Sequence, residues 1–310
     1  MVEILPIDPG MLEFYKALSA QSPPEAATWR LDQQRAAWNA VCRKFRAPFP
    51  NGVTVEDQIL NGVPCQIFRS EGKSLKPGLI YFHGGGWVLG GPDTHGDMCA
   101  EMAKGADCVV VLVDYRLAPE NPHPAQLEDS IAVLQALRSG VIDDIDHTRI
   151  CGGGDSAGGQ MTVGLSLYLR DNGLTPLRGM VLIYPVLGNN VNSASYMRNA
   201  EAPCLTREEM IYFLKAFLGP NGSANWTDPF AIPLLANDFS NLPLAFISVA
   251  AHDPLYDDGV NFHEELLAAG GTSTIRKELE LAHSYMRARH VSKPAMAGFQ
   301  AIIEAIKGFI

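Results

Sequence analysis

Gly154-Asp155-Ser156-Ala157-Gly158 sets a hydroxyl between two glycines, after the strand-like Arg149–Gly152 and before the helical run Gln160–Arg170. A Gly-x-Ser-x-Gly pattern between strand and helix holds its serine on a sharp, exposed turn. Small neighbours are required there, because a Cβ would meet adjacent backbone. The helix start leaves the Ala157 N–H unbonded and favours negative charge nearby. Such a serine could attack a carbonyl carbon and become acylated. A serine in a glycine-rich turn also arises without chemistry, so the partners that the reaction requires must be found elsewhere in the chain.

The first requirement is a set of donors for the oxyanion. His83-Gly84-Gly85-Gly86-Trp87 follows the strand-like Leu79–Phe82, and consecutive glycines let backbone N–H groups converge where a side chain would block them. Gly84, Gly85 and Ala157 are the expected donors. The loop lacks the Lys-Ser/Thr ending of a phosphate loop and the Gly-x-Gly-x-x-Gly spacing of a dinucleotide fold.

The second requirement is a base with a carboxylate to fix its tautomer. When the serine sits on a strand-to-helix turn, the acid and then the histidine follow it in the chain. Of the 8 histidines, His283 alone lies late and in a loop just past a strand, Thr274–Leu279. His263 falls inside a helical pattern and His290 in a basic polar stretch. His252 reads as a lining or structural residue, His83 as a brace of the glycine loop, and His95, His123 and His147 as structural or surface residues. Asp253 follows the strand Ala245–Ala250, its turn fixed by Pro254, whereas Asp257 and Asp258 start the next helix, where carboxylates cap.

These residues need a scaffold that brings strand ends together. Short β-branched runs at Cys65–Arg69, Leu79–His83, Cys108–Asp114, Arg149–Gly152, Met180–Tyr184, Ala245–Ala250 and Thr274–Leu279 alternate with helical patterns. The helical patterns are Gly96–Lys104, Ala125–Ser139, Ala157–Asn172, Asp257–Ala269 and a last one from Pro294. That order is α/β: a mainly parallel sheet flanked by helices. Residues 1–45, with helical patterns at Met11–Ser22 and Ala26–Phe45, and residues 188–240, with a helix near Thr206–Leu218, break the alternation. Both are expected to form a helical cap over the strand ends. Residues 46–187 and 241–310 then make up the two parts of the catalytic domain.

Composition narrows the function classes. The chain has 310 residues, 47% of them hydrophobic, and a net charge of -10, which argues against a nucleic-acid partner. No apolar run is long enough to span a membrane, and no stable membrane association is expected. The N-terminus does not read as a secretory signal, and the 6 cysteines form no C-x-x-C pair. Buried free thiols in a reducing cytoplasm are expected, with no metal and no organic cofactor.

Four separated motifs, His83–Trp87, Asp114-Tyr-Arg-Leu-Ala-Pro-Glu120, Gly154–Gly159, and Asp253-Pro-Leu255 followed by His283, resemble the hormone-sensitive-lipase-like α/β-hydrolase carboxylesterases with Gly-Asp-Ser-Ala-Gly at the nucleophile. The likeness runs from about residue 60 to the end. It implies a Ser156–Asp253–His283 triad, an oxyanion hole of Gly84, Gly85 and Ala157, and a brace in which Arg116 pairs with a carboxylate. It also implies hydrolysis of short- to medium-chain acyl esters, small soluble molecules, with amide or carbamate hydrolysis as the alternative on the same triad. A non-catalytic ligand receptor occurs on this fold where the histidine is replaced, and His283 is present. A homodimer through the last strands and helices fits the family, although the apolar Phe299–Ile310 reads equally as an ordinary packed helix. Three positions depart from the family's habit: Ala251 replaces a Glu, Ser284 a Gly after the triad histidine, and His123-Pro124 a Phe-Pro.

Overall fold

A computed structural model describes residues 6–21, 29–72 and 75–310. The chain enters through two helices, α1 (Pro9–Gln21) and α2 (Leu31–Lys44), then forms β1 (Val53–Leu60), β2 (Val63–Ser70) and β3 (Lys76–Phe82). Alternation follows with α3 (Pro92–Ala106), β4 (Val109–Val113), α4 (Ala125–Arg138), β5 (Ile145–Asp155), α5 (Ala157–Asp171) and β6 (Met180–Ile183). The second irregular stretch holds α6 (Ala194–Arg198) and α7 (Arg207–Leu218), and β7 (Ala245–His252), α8 (Tyr256–Ala268), β8 (Ser273–Ala282) and α9 (Lys293–Phe309) close the chain. The expected α/β class is the observed one. Of the two expected N-terminal helices, the end at Ser22 and the start at Ala26 lie outside the described residues.

All eight strands form one sheet in the order β1-β2-β4-β3-β5-β6-β7-β8, with β2 antiparallel to both of its neighbours and the remaining pairs parallel. Every residue of β3 and β4 is buried, as expected of strands covered on both faces. Alternate side chains feed two cores. Ile80, Phe82, Val109, Val111 and Val113 enter one, and Leu79, Tyr81, Val110 and Leu112 the other. Each such apolar side chain contributes about 1.5–3 kcal/mol on burial. β1 was not expected from the sequence. It is an edge strand with most of its residues open to solvent, so Val53-Thr-Val-Glu-Asp-Gln-Ile-Leu60 shows no apolar face.

The sheet's chain order reverses direction between β3 and β5, the place where open α/β sheets bind ligands. Phe82 pairs with Gly154 there, so the glycine loop leaving β3 and the serine turn leaving β5 emerge side by side. The brace works as expected: Arg116 donates to Asp129 Oδ1 at 2.9 Å and to Glu128 Oε2 at 2.8 Å. The C-terminal helix packs Phe299, Ile302, Ile303 and Ile306 into its own chain's core. All 6 cysteines are free thiols, Cys204 being the one that is not fully buried.

Candidate active site

Ser156 sits between β5 and α5 at φ 56, in the left-handed region that side chains avoid. The strain is held from two sides: the Ser156 N–H donates to Ile183 O, and Gly158 lies flat on the end of β3. A Cβ on Gly158 would stand 1.9 Å from Phe82 O, which is why the motif's last position excludes any side chain.

His283 follows β8, and its Nε2 lies 3.0 Å from Ser156 Oγ. Its Nδ1 lies 2.7 Å from Asp253 Oδ2, and because a carboxylate only accepts, Nδ1 carries the proton and Nε2 receives the serine hydroxyl. Asp253 is 0% exposed, Ser156 6% and His283 5%. The second oxygen of Asp253 accepts the Leu255 N–H at 2.9 Å. Where the family places a Glu, Ala251 contributes its carbonyl instead: Asn199 Nδ2 donates to Ala251 O at 3.1 Å and to Asp253 O at 2.8 Å. The three residues expected from sequence therefore meet in one hydrogen-bonded chain.

The glycine loop departs from expectation at one position. The Gly84 N–H donates to Asp155 Oδ1 at 3.0 Å, so it is consumed below the site and is not free for a substrate oxygen. Among the described residues the N–H groups of Gly85 and Gly86 have no acceptor, and Ala157, opening α5, has none within its helix. The free donors are therefore Gly85, Gly86 and Ala157, with Gly86 in place of Gly84.

Asp155 is the functional residue that sequence reasoning missed. Besides Gly84 it accepts from Tyr81 Oη at 2.9 Å, and His95 Nε2 lies 3.3 Å from its Oδ1. Burial alone would raise its pKa, but His95, Arg287 and Tyr81 more than offset this and hold the carboxyl below the usual range. His83 stacks on Tyr115 at 4.2 Å. Burial and the nearby His95 pull it down to about 3, so its ring is neutral and serves as a brace. The position inside the Gly-x-Ser-x-Gly motif is the only sequence signal for Asp155, and its partners lie far away in the chain.

Above Ser156 opens a cavity of about 610 Å³. Tyr15, Leu18 and Trp38 from α1 and α2 form one wall, and Leu205, Met210 and Phe213 from the 188–240 stretch another. Phe213 covers the glycine loop so closely that a Cβ on Gly86 would lie 2.4 Å from its ring. Trp87 lies flat against Phe217 at 4.0 Å and donates from Nε1 to Gln160 Oε1 at 3.0 Å. The unusual His123 pairs through Nε2 with Asp228 Oδ2 at 2.8 Å, tying this stretch to the turn that leads into α4. At its root, Asp258 Oδ2 accepts the N–H groups of Leu187 at 2.8 Å and Gly188 at 2.9 Å. Burial pushes the Asp258 carboxyl up to about 7 against the pull of those two donors, with Asp253 and Asp257 adding to the rise.

The class comes first from the fold: a family model of the α/β-hydrolase fold matches residues 79–287. Carboxylesterase NlhH of Mycobacterium tuberculosis is 40% identical over 212 residues, 68% of this chain and 66% of that one, so the match spans just under two thirds of that relative. Carboxylic ester hydrolase LipN of the same organism is 32% identical over 287 residues, 89% of this chain and 76% of that one. A crystal structure of an esterase from the bacterial hormone-sensitive lipase family superposes with a TM-score of 0.87 at 26% identity, covering 99% of this chain and 100% of that one. This chain belongs to the α/β-hydrolase fold family, in its hormone-sensitive-lipase-like branch. No helix among the described residues is long and apolar enough to cross a membrane.

Proposed function

We propose that the protein is a serine carboxylesterase acting on short- to medium-chain acyl esters. The observation that carries this reading is the unbroken chain Ser156 Oγ, His283 Nε2, His283 Nδ1, Asp253 Oδ2 at 3.0 and 2.7 Å, on the floor of a cavity faced by unbonded N–H groups. His283 takes the serine proton as Oγ attacks the ester carbonyl, and Asp253 stabilises the imidazolium. The tetrahedral oxyanion forms against Gly85, Gly86 and Ala157. His283 then protonates the departing alcohol, and water repeats the sequence on the acyl-enzyme. Each oxyanion donor is worth roughly 10²–10³ in rate.

Trp87, Phe213 and the helices over the strand ends act as a cap that limits chain length, so activity on p-nitrophenyl esters is expected to peak at or below about eight acyl carbons, a size that suits a pocket of this kind. The free thiols support a reducing, cytoplasmic setting. The test is steady-state hydrolysis of p-nitrophenyl esters together with fluorophosphonate labelling. Wild type should turn over and label, while Ser156→Ala should do neither, with turnover lowered by about 10⁶. Labelling or turnover that survives in Ser156→Ala sinks the assignment, and a maximum on the palmitate ester rejects the chain-length limit.

A further inference from the structure

The cavity wall under the N-terminal helices holds three hydrogen-bond donors that the proposed ester-cleaving machinery does not use. Ser284 follows His283 at φ 61, a left-handed position that a serine occupies only under strain, and its Oγ makes no hydrogen bond among the described residues. The 3₁₀ turn that it opens carries Arg287, whose N–H donates back to Ser284 O at 2.9 Å. The Arg287 side chain is buried, donates to Thr94 O, and lies against the His95 ring nitrogens, with Nη2 2.9 Å from Nε2. No carboxylate among the described residues is within ion-pairing distance of it, and its Nε has no acceptor. The Arg287 guanidinium lies 5.8 Å from the centre of the Trp38 ring. Trp38 Nε1 is shielded from solvent and also has no partner among the described residues. All three residues line the cavity that contains Ser156.

A shielded indole N–H without an acceptor is costly unless something occupies the cavity beside it, and the Ser284 hydroxyl, held at a strained backbone position, opens on the same cavity. We infer that Ser284, Trp38 and Arg287 form a subsite for a second, uncharged acceptor oxygen of the substrate, such as a ketone, ether or further ester carbonyl, in the chain entering this side of the cavity. The oxygen is uncharged because Asp155 and Asp97 already face Arg287 electrostatically, and Glu201, Glu208 and Glu209 at the cavity wall repel anions. This inference rests on the esterase reading and names part of its substrate class.

The experiment compares substrates matched in length: p-nitrophenyl levulinate with p-nitrophenyl pentanoate, and ethoxypropyl acetate with hexyl acetate, with Ser156→Ala as the blank. In at least one pair the oxygen-bearing ester should have a kcat/KM about tenfold higher, the scale of one or two neutral hydrogen bonds. Ser284→Gly, which suits a positive φ, should cut that ratio about threefold, and Trp38→Phe should cut it by a similar factor. Equal kcat/KM in both pairs, as expected if the donors merely hold trapped water, overturns the subsite. So does a ratio that neither substitution moves. Failure of wild type to hydrolyse the plain pentanoate and hexyl esters overturns the esterase reading and this inference with it.

Discussion

The floor and the walls of the cavity are built by opposite means. On the floor, Ser156, Asp155, Asp253 and His283 lie at strand ends, each buried and each fixed by hydrogen bonds to residues far away in the chain. The walls come from α1, α2 and the 188–240 stretch, where Tyr15, Tyr212 and Glu208 are exposed and contacts are largely apolar. On the proposed function, the reaction geometry, which tolerates little error, would rest on the sheet, and substrate selection, which tolerates variation, on the additions to it.

Three experiments sharpen or break that contrast. The largest effect is expected at Asp155, whose carboxylate is engaged by the Gly84 N–H, the Tyr81 hydroxyl and His95 rather than by the serine. Asp155→Asn should lower kcat by about 10² through a loosened glycine loop while leaving KM within about threefold, because the Gly84 N–H loses a charged acceptor. Equal damage to kcat and thermal stability, with no change in the kcat to KM split, would show Asp155 to be only a packing residue.

The second experiment probes the junction of floor and wall. Asp258 ionises near 3.8 when unfolded but at about 7 in the fold. Between those values the native state keeps a proton that the unfolded chain has lost, so raising the pH removes stability across that window and has no further effect above it. Asp258→Asn should abolish this component, and its stability relative to wild type should climb by roughly 2–4 kcal/mol from pH 4 to 7. Urea midpoints for both proteins at several pH values measure it, and parallel curves would contradict the assignment.

The smallest effect belongs to the wall. Phe213→Ala should move the acyl-length optimum to longer chains and change the ratio of long- to short-ester kcat/KM by about five- to tenfold, with little loss of stability beyond one partly buried ring. An unchanged optimum would shift chain-length control to Trp87.

Sequence reasoning was uneven in the same way as the molecule. The parallel strands were legible because burial on both faces leaves continuous apolar runs such as Val109–Val113. Ser156, Asp253 and His283 were legible because their order and strand-end positions follow from topology. Gly84 was assigned wrongly: three consecutive glycines look alike in sequence, and only the fold reveals which N–H is spent on Asp155. The edge strand β1 was missed because solvent on both sides erases the apolar pattern. Trp38 and Arg287 carried no signal, since their proximity depends on a helix and a late turn folding onto one cavity.

The contact between Gly158 and Phe82 has a consequence for any library built on this chain. Backbone touches backbone there, so residues 82–86 and 153–159 behave as one inherited unit: a change in either segment will show its effect mainly through the other, and pairs of substitutions across the contact should deviate from additivity. Exchanging both segments together preserves the contact, whereas exchanging one alone meets a steric barrier before any catalytic one.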